Sequence, residues 1–274
     1  MLHTLVLAAA MGLGPAQERT GLGSVGQLNL TNVRVTFGGQ FGPTRPDARY
    51  LPGDLFFMVF DIEGLRADAQ GKVQYTIGMS VTDPAGKIVF ENKPEAKEAV
   101  IPLGPAKWPA MANVLIGPDM KGTFTCSVTV TDRASNETKK VDRSFEVGEP
   151  AFGIVAFRMT YDMDDRVPAP LHGVPGQTLV MQFMTINFAV DAMKQPNNQV
   201  EVRVFDSAGR QNNEQPQTYF VNKGVKEEAP LIPWSLPIQL SRPGSFTVEL
   251  RATDMITNKS YKMRFPISVY KTND

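Results

Sequence analysis

Gly122 to Val147 reads GTFTCSVTVTDRASNETKKVDRSFEV, and Gly244 to Val269 reads GSFTVELRATDMITNKSYKMRFPISV. The two align without a gap and share eight of 26 positions: Gly122/Gly244, Phe124/Phe246, Thr125/Thr247, Thr131/Thr253, Asp132/Asp254, Asn136/Asn258, Lys140/Lys262 and Val147/Val269. In the first copy Phe124, Cys126, Val128 and Val130 alternate with Thr125, Ser127 and Thr129, and the second puts Phe246, Val248, Leu250 and Ala252 in the same register. A period of two places one face in a core and the other in water. Asp132 to Asn136 and Asp254 to Asn258 interrupt the pattern with turn residues. Aspartate accepts backbone hydrogen bonds at a strand end, and asparagine tolerates the left-handed conformation. Each stretch is a strand, a tight turn and a strand, so the chain contains one hairpin twice.

The repetition extends outward. Val33-Arg34-Val35-Thr36-Phe37 matches Phe157-Arg158-Met159-Thr160-Tyr161, and Leu51-Pro52-Gly53-Asp54 matches Val174-Pro175-Gly176-Gln177. Val81 to Lys87 matches Val204 to Arg210. Each copy holds about seven strands, placed in the first near 28–37, 54–62, 72–82, 87–91, 112–117, 122–131 and 138–147. Helical spacing persists nowhere, and prolines interrupt the longer connections. The fold class expected is all-β: two tandem antiparallel β-sandwich domains of the immunoglobulin type, over 27–148 and 151–270. The short linker Gly148-Glu149-Pro150 limits how far they swing.

The 274 residues are 42% apolar and 20% charged, ordinary for a globular chain, with formal net charge +0. Without a basic stripe, a nucleic-acid partner is not expected. Met1 to Ala16 has the short apolar run and the small residues, Gly14 and Ala16, of a cleavable signal peptide, although it lacks a basic n-region. Residues 17–26 read as a flexible leader. No later stretch is long and apolar enough for a transmembrane helix, so the mature chain is expected outside the cytoplasm, periplasmic or secreted.

The run Tyr50-Leu51-Pro52-Gly53-Asp54, then Val81-Thr82-Asp83-Pro84-Ala85-Gly86-Lys87, then Gly122-Thr123-Phe124-Thr125 resembles bacterial immunoglobulin-like and macroglobulin-like extracellular modules. The resemblance covers both copies and rests on turn motifs. It implies the fold and an extracellular setting and supplies no catalytic residues. The thioester motif of full-length macroglobulins is absent, so their trapping mechanism is not implied.

Few residues invite chemistry. Asp162, Asp164 and Asp165 at the domain junction are the candidate ligands for Ca²⁺, the one cofactor considered; the alternative is a solvated loop. Asp132/Asn136 and Asp254/Asn258 read as turns before they read as metal ligands. Cys126 faces inward as a small hydrophobe. His172 is the one histidine beyond the signal peptide, too few for a triad or a multi-histidine metal site. Trp108 and Trp234 lie in Pro-rich connections, read either as core or as sugar-contacting platforms beside Tyr219, Phe220 or Tyr50. The strand after the first Pro-Gly turn is apolar on both faces. Phe56, Met58, Phe60 and Ile62 make one face, and Leu55, Phe57 and Val59 the other. The second face needs a cover, and Phe57 and Val59 are the candidate contacts to a partner unless the domain covers them itself. The expectation is a non-catalytic exported protein for adhesion, envelope structure or protein interaction, with a protein or envelope partner. The alternative is a module binding carbohydrate or another ligand.

Overall fold

The computed structural model describes residues 26–104 and 107–272. The signal peptide at 1–16 and all but the last residue of the leader lie outside the described residues. Every regular element described is a β-strand. The first half holds β1 (Asn29–Thr36), β2 (Arg49–Tyr50), β3 (Leu55–Glu63), β4 (Lys72–Thr82), β5 (Ile88–Val100), β6 (Trp108–Leu115), β7 (Gly122–Asp132) and β8 (Thr138–Val147). The second holds β9 (Gly153–Thr160), β10 (His172–Gly173), β11 (Thr178–Ile186), β12 (Asn198–Phe205), β13 (Gln217–Val221), β14 (Leu231–Gln239), β15 (Gly244–Asp254) and β16 (Lys259–Val269).

Each half is a sandwich of a three-stranded and a five-stranded sheet. The orders are β1-β3-β6 over β2-β8-β7-β4-β5, and β9-β11-β14 over β10-β16-β15-β12-β13. All ladders are antiparallel except the two-residue pairings of β2 with β8 and β10 with β16. The alternation in the hairpin decides its packing. Phe124, Cys126, Val128 and Val130 are buried against Phe56, Met58 and Phe60 of β3, while Val248, Leu250 and Ala252 join Leu179, Met181 and Phe183 of β11 in the second core.

The duplicated turn closes each hairpin through one carboxylate. Asp132 accepts the Ala134 amide (3.2 Å) and the Ser135 hydroxyl (2.7 Å), and Asp254 accepts the Ile256 amide (3.0 Å) and the Thr257 hydroxyl (2.6 Å). Asn136 (φ 59) and Asn258 (φ 56) take the left-handed conformation that follows.

Two strands differ from expectation. The segment near 87–91 continues as β5 to Val100. It is the sheet's edge and almost wholly exposed, so its Glu and Lys residues and Pro94 broke the alternation used to find strands. These are the residues that protect an edge from pairing with another chain. The strand near 112–117 begins at Trp108. Pro109 masked its start, and Pro233 and Pro237 likewise lie within β14. Both are edge strands, where a proline forfeits no ladder bond.

The sandwiches meet at a built joint. The Arg45 guanidinium donates to Asp54 Oδ2 (2.7 Å), with the two side chains only 3% and 5% exposed. It lies over the rings of Tyr50 (3.8 Å) and Phe37 (4.5 Å) and also donates to the Arg49 carbonyl. Burial works against its charge, yet the neighbouring Asp54 carboxylate keeps its pKa above the ordinary arginine value. The other Asp54 oxygen accepts the Leu55 amide (2.8 Å) and, from the second sandwich, the Ala156 amide (2.9 Å). Ala156 (φ 52) sits in a bulge of β9, and a bulge frees a backbone amide from its ladder and re-aims it. Backbone packs on backbone beside it. A Cβ on Gly38 would lie 2.7 Å from Arg158 Cα, and one on Gly153 would lie 2.4 Å from Leu51 Cδ1. Phe37 leaves its own sandwich to pack edge-on against Phe157 (6.2 Å) in the second core.

Asn136→Ala is expected to cost about 1 kcal/mol, the penalty for a Cβ without a local polar partner in the left-handed region. Asn136→Gly should cost less. Urea unfolding of the two variants checks the order. Asp54→Ala, which strands the Arg45 charge, is expected to cost about 3–5 kcal/mol. The double replacement Arg45→Met with Asp54→Leu should keep near-native stability but broaden the angle between the sandwiches, read by small-angle scattering and residual dipolar couplings. An unchanged angle distribution would show that the pair does not set the joint.

Candidate interaction surface

In the first sandwich the outer face of β1-β3-β6 is read off the register. Arg34, Val59 and Met111 form one row, and Thr36, Phe57 and Asn113 the next. Leu55 and Leu115 follow. The segment after β1 turns back over this face. The Thr36 hydroxyl donates to the Gly39 carbonyl (2.7 Å), and the Arg34 guanidinium to the Gln40 carbonyl (3.2 Å). A Cβ on Gly39 would lie 3.4 Å from Met111 Sδ and 3.6 Å from the Phe57 ring.

This loop decides the two candidate contacts on β3. Val59 is 2% exposed and offers a partner nothing. Phe57 is half-buried beneath Gly39. The chain does not cover their neighbours, however. Phe41, Met111 and Leu115 are 48%, 46% and 62% exposed. Met111 falls in the proline-masked start of the strand, and Leu115, within the segment expected near 112–117, alternates with Ala112 and Val114 as an outward residue.

The second sandwich treats the same positions differently. Its corresponding row is Arg158, Gln182 and Ser235. Gln182 Nε2 donates to the Asp162 and Met163 carbonyls (3.3 and 3.1 Å), and the Ser235 hydroxyl donates to Gln182 Oε1 (2.5 Å). The covering loop is thus held by polar bonds at this row.

The three junction aspartates belong to that loop, and each is engaged separately. Asp162 accepts the amides of Arg166 (3.0 Å) and Val167 (2.9 Å), bonds that hold its carboxyl below the usual carboxylate range. Asp164 pairs with Arg166 (2.8 Å), and Asp165 takes both arms of the Arg158 guanidinium. The described residues contain no group of three or more His, Cys, Asp or Glu placed to hold a metal ion. Asp162 and Asp165 thereby tie the loop together, and Asp164 makes an exposed ion pair.

Neither tryptophan forms an open platform. Trp234 is 6% exposed, stacks with Phe183 (6.2 Å) and donates to Thr185 Oγ1 (3.0 Å). Trp108 is half-buried on the first core and donates to the Tyr75 hydroxyl (3.0 Å). They are not equivalent: Trp234 lies opposite Phe183 of β11, whereas Trp108 lies opposite Ile62 of β3. Tyr50 is buried in the joint, Tyr219 packs against the second core, and Phe220 stands exposed on edge strand β13. Cys126 is buried, and burial pushes its thiol up to about 12, so thiolate chemistry at neutral pH is suppressed.

No protein-family model matches the chain, and no curated protein matches it. Among solved structures, the C-terminal domain of the Streptococcus agalactiae AgI/II polypeptide BspA is 10% identical, with a TM-score of 0.29, over 88% of this chain and 100% of that one. A second BspA C-terminal structure is 9% identical, again with a TM-score of 0.29, over 86% and 99%. Scores this low do not establish a common fold, and the all-β assignment rests on this chain's own sheets.

Proposed function

We propose that the chain is an exported, non-catalytic protein of two tandem immunoglobulin-like sandwiches that serves protein interaction in the cell envelope, adhesion included. Support for the immunoglobulin-like arrangement is the three-over-five sheet order, with a short strand added parallel to the last one in each copy. Support for export is the signal-like run from Met1 to Ala16.

The observation that carries the interaction reading is the apolar strip on the first sandwich. Phe41, Met111 and Leu115 stand exposed around half-buried Phe57, whereas the second sandwich presents Ser235 and Gln239 at the positions matching Met111 and Leu115. At these two edge-strand positions the first copy is apolar and the second polar, and that difference singles out the first face. Clustered exposed apolar side chains on a water-facing sheet are the ordinary signature of a protein-binding face. The joint supports the reading too, because it presents that face from a fixed pair of sandwiches.

The test combines Met111→Ser with Leu115→Thr. Both side chains are exposed, so thermal unfolding should be unchanged, while capture of a specific protein from the native envelope should be lost. Capture that survives the double substitution would refute the assignment of this face. Export is checked by the N-terminus of the mature protein, expected at Gln17.

A further inference from the structure

The two sandwiches differ most beyond the turn that follows their β4 and β12 strands. In the first, the chain leaves the Asp83–Lys87 turn directly into the 13-residue edge strand β5. In the second, it leaves the matching Asp206–Arg210 turn into Gln211-Asn212-Asn213-Glu214-Gln215-Pro216, and the edge strand shrinks to the five residues of β13. The sheet is thereby opened. Between β12–β13 and edge strand β14 lies a cleft of ≈ 410 Å³, within the range of roughly 300–1,000 Å³ usual for small-ligand sites.

We propose that this cleft binds an acidic glycan, a chain of sugar residues bearing carboxylates. Its chemistry is selective. The walls carry the carboxamides of Asn212, Asn213, Gln215 and Gln217, and no carboxylate among the described lining residues. A sugar hydroxyl both donates and accepts, and a carboxamide offers a donor and an acceptor in one plane. The Asn213 and Gln215 side chains make no hydrogen bond among the described residues and remain free for a ligand. The floor, with Ile238, Leu240 and Phe246, is apolar and suits the C–H face of a pyranose ring.

The charge supplies the acidic requirement. Arg242 stands at the cleft with its guanidinium 4.9 Å over the Phe246 ring and no acidic partner among the described residues; its bond is to Asn212 Oδ1 (3.2 Å). A guanidinium with no acid beside it favours a carboxylate through paired charge-assisted hydrogen bonds. The wall is also fixed in place. Arg203 donates to Gln211 Oε1 (3.2 Å), while Arg242 holds Asn212, so the polar loop is tied at two points before any ligand arrives. The site lies on the second sandwich, apart from the apolar strip, and stands or falls independently of that surface.

The experiment titrates the full chain with trigalacturonate, monomeric galacturonate and maltotriose, by calorimetry and by amide shifts across residues 211–217. Trigalacturonate should bind with at least about tenfold higher affinity than the neutral trisaccharide, the discrimination expected of one charge-assisted contact. The monomer should bind more weakly than the trimer. Arg242→Gln, at an exposed position that leaves folding intact, should reduce trigalacturonate affinity by about tenfold and leave thermal unfolding unchanged. Absence of trigalacturonate binding overturns the proposal. So does equal binding of maltotriose, equal binding of the monomer, or an Arg242→Gln protein that binds as the native one does.

Discussion

One carboxylate holds the two halves of this molecule in register. Asp54 spends one oxygen on the buried Arg45 guanidinium and shares the other between its own chain at Leu55 and the second sandwich at Ala156. Taking two charges out of water is costly, and such a pair gives little net stability over well-packed apolar residues. Here the cost is visible, since Arg45 Nε and the Tyr50 hydroxyl are buried without a partner among the described residues. What the pair supplies is direction. An apolar contact tolerates sliding, whereas a carboxylate hydrogen-bonded to one backbone amide does not. Gly38 lets its backbone approach that of Arg158, and Gly153 leaves room for the Leu51 side chain beside that bond.

The fold was legible where one face of a strand was dry and the other wet. The hairpins and β4 announced themselves through period-two burial, and the hairpin's repetition pointed to two sandwiches. Legibility failed at the edges. β5 has almost no buried side chain, so it has no alternation to read. β6 and β14 carry prolines that signal loops in a central strand but are harmless on an edge. A single sequence does not say which strands are edges; that follows from the sheet order.

The candidate sites were less legible, and the reasons differ by residue. Val59 was rightly seen as outward-facing, but the loop across it is held by the Thr36 hydroxyl and by backbone carbonyls, contacts that leave no sequence signature. The Trp234 indole N–H finds Thr185, 49 positions away, and so the ring is satisfied inside the core. The junction aspartates read in sequence as one acidic run, and only the placement of Arg158, Arg166 and Val167 shows that each carboxylate meets a different donor. The polar cleft was invisible for another reason. Gln211 to Pro216 reads as an ordinary polar loop, and it is the missing length of β13 against β5 that turns it into a wall.

The bulge at Ala156 has a counterpart. Asn32 sits at the matching place in β1, with a φ of 50 against 52, and both interrupt the ladder to the next strand. The bulge thus occurs in both sandwiches, in the one that uses it at the joint and in the one that does not. The specialised parts are Arg45 and Asp54, whose places in the second copy are taken by Ala169 and Gln177. Because the recognised group on the second sandwich is a backbone amide, residue 156 is free to drift within what its conformation allows, while residues 45 and 54 are constrained together. The history of the joint should accordingly be recorded on one side of it, in the correlated retention of an arginine and an acid nine positions apart.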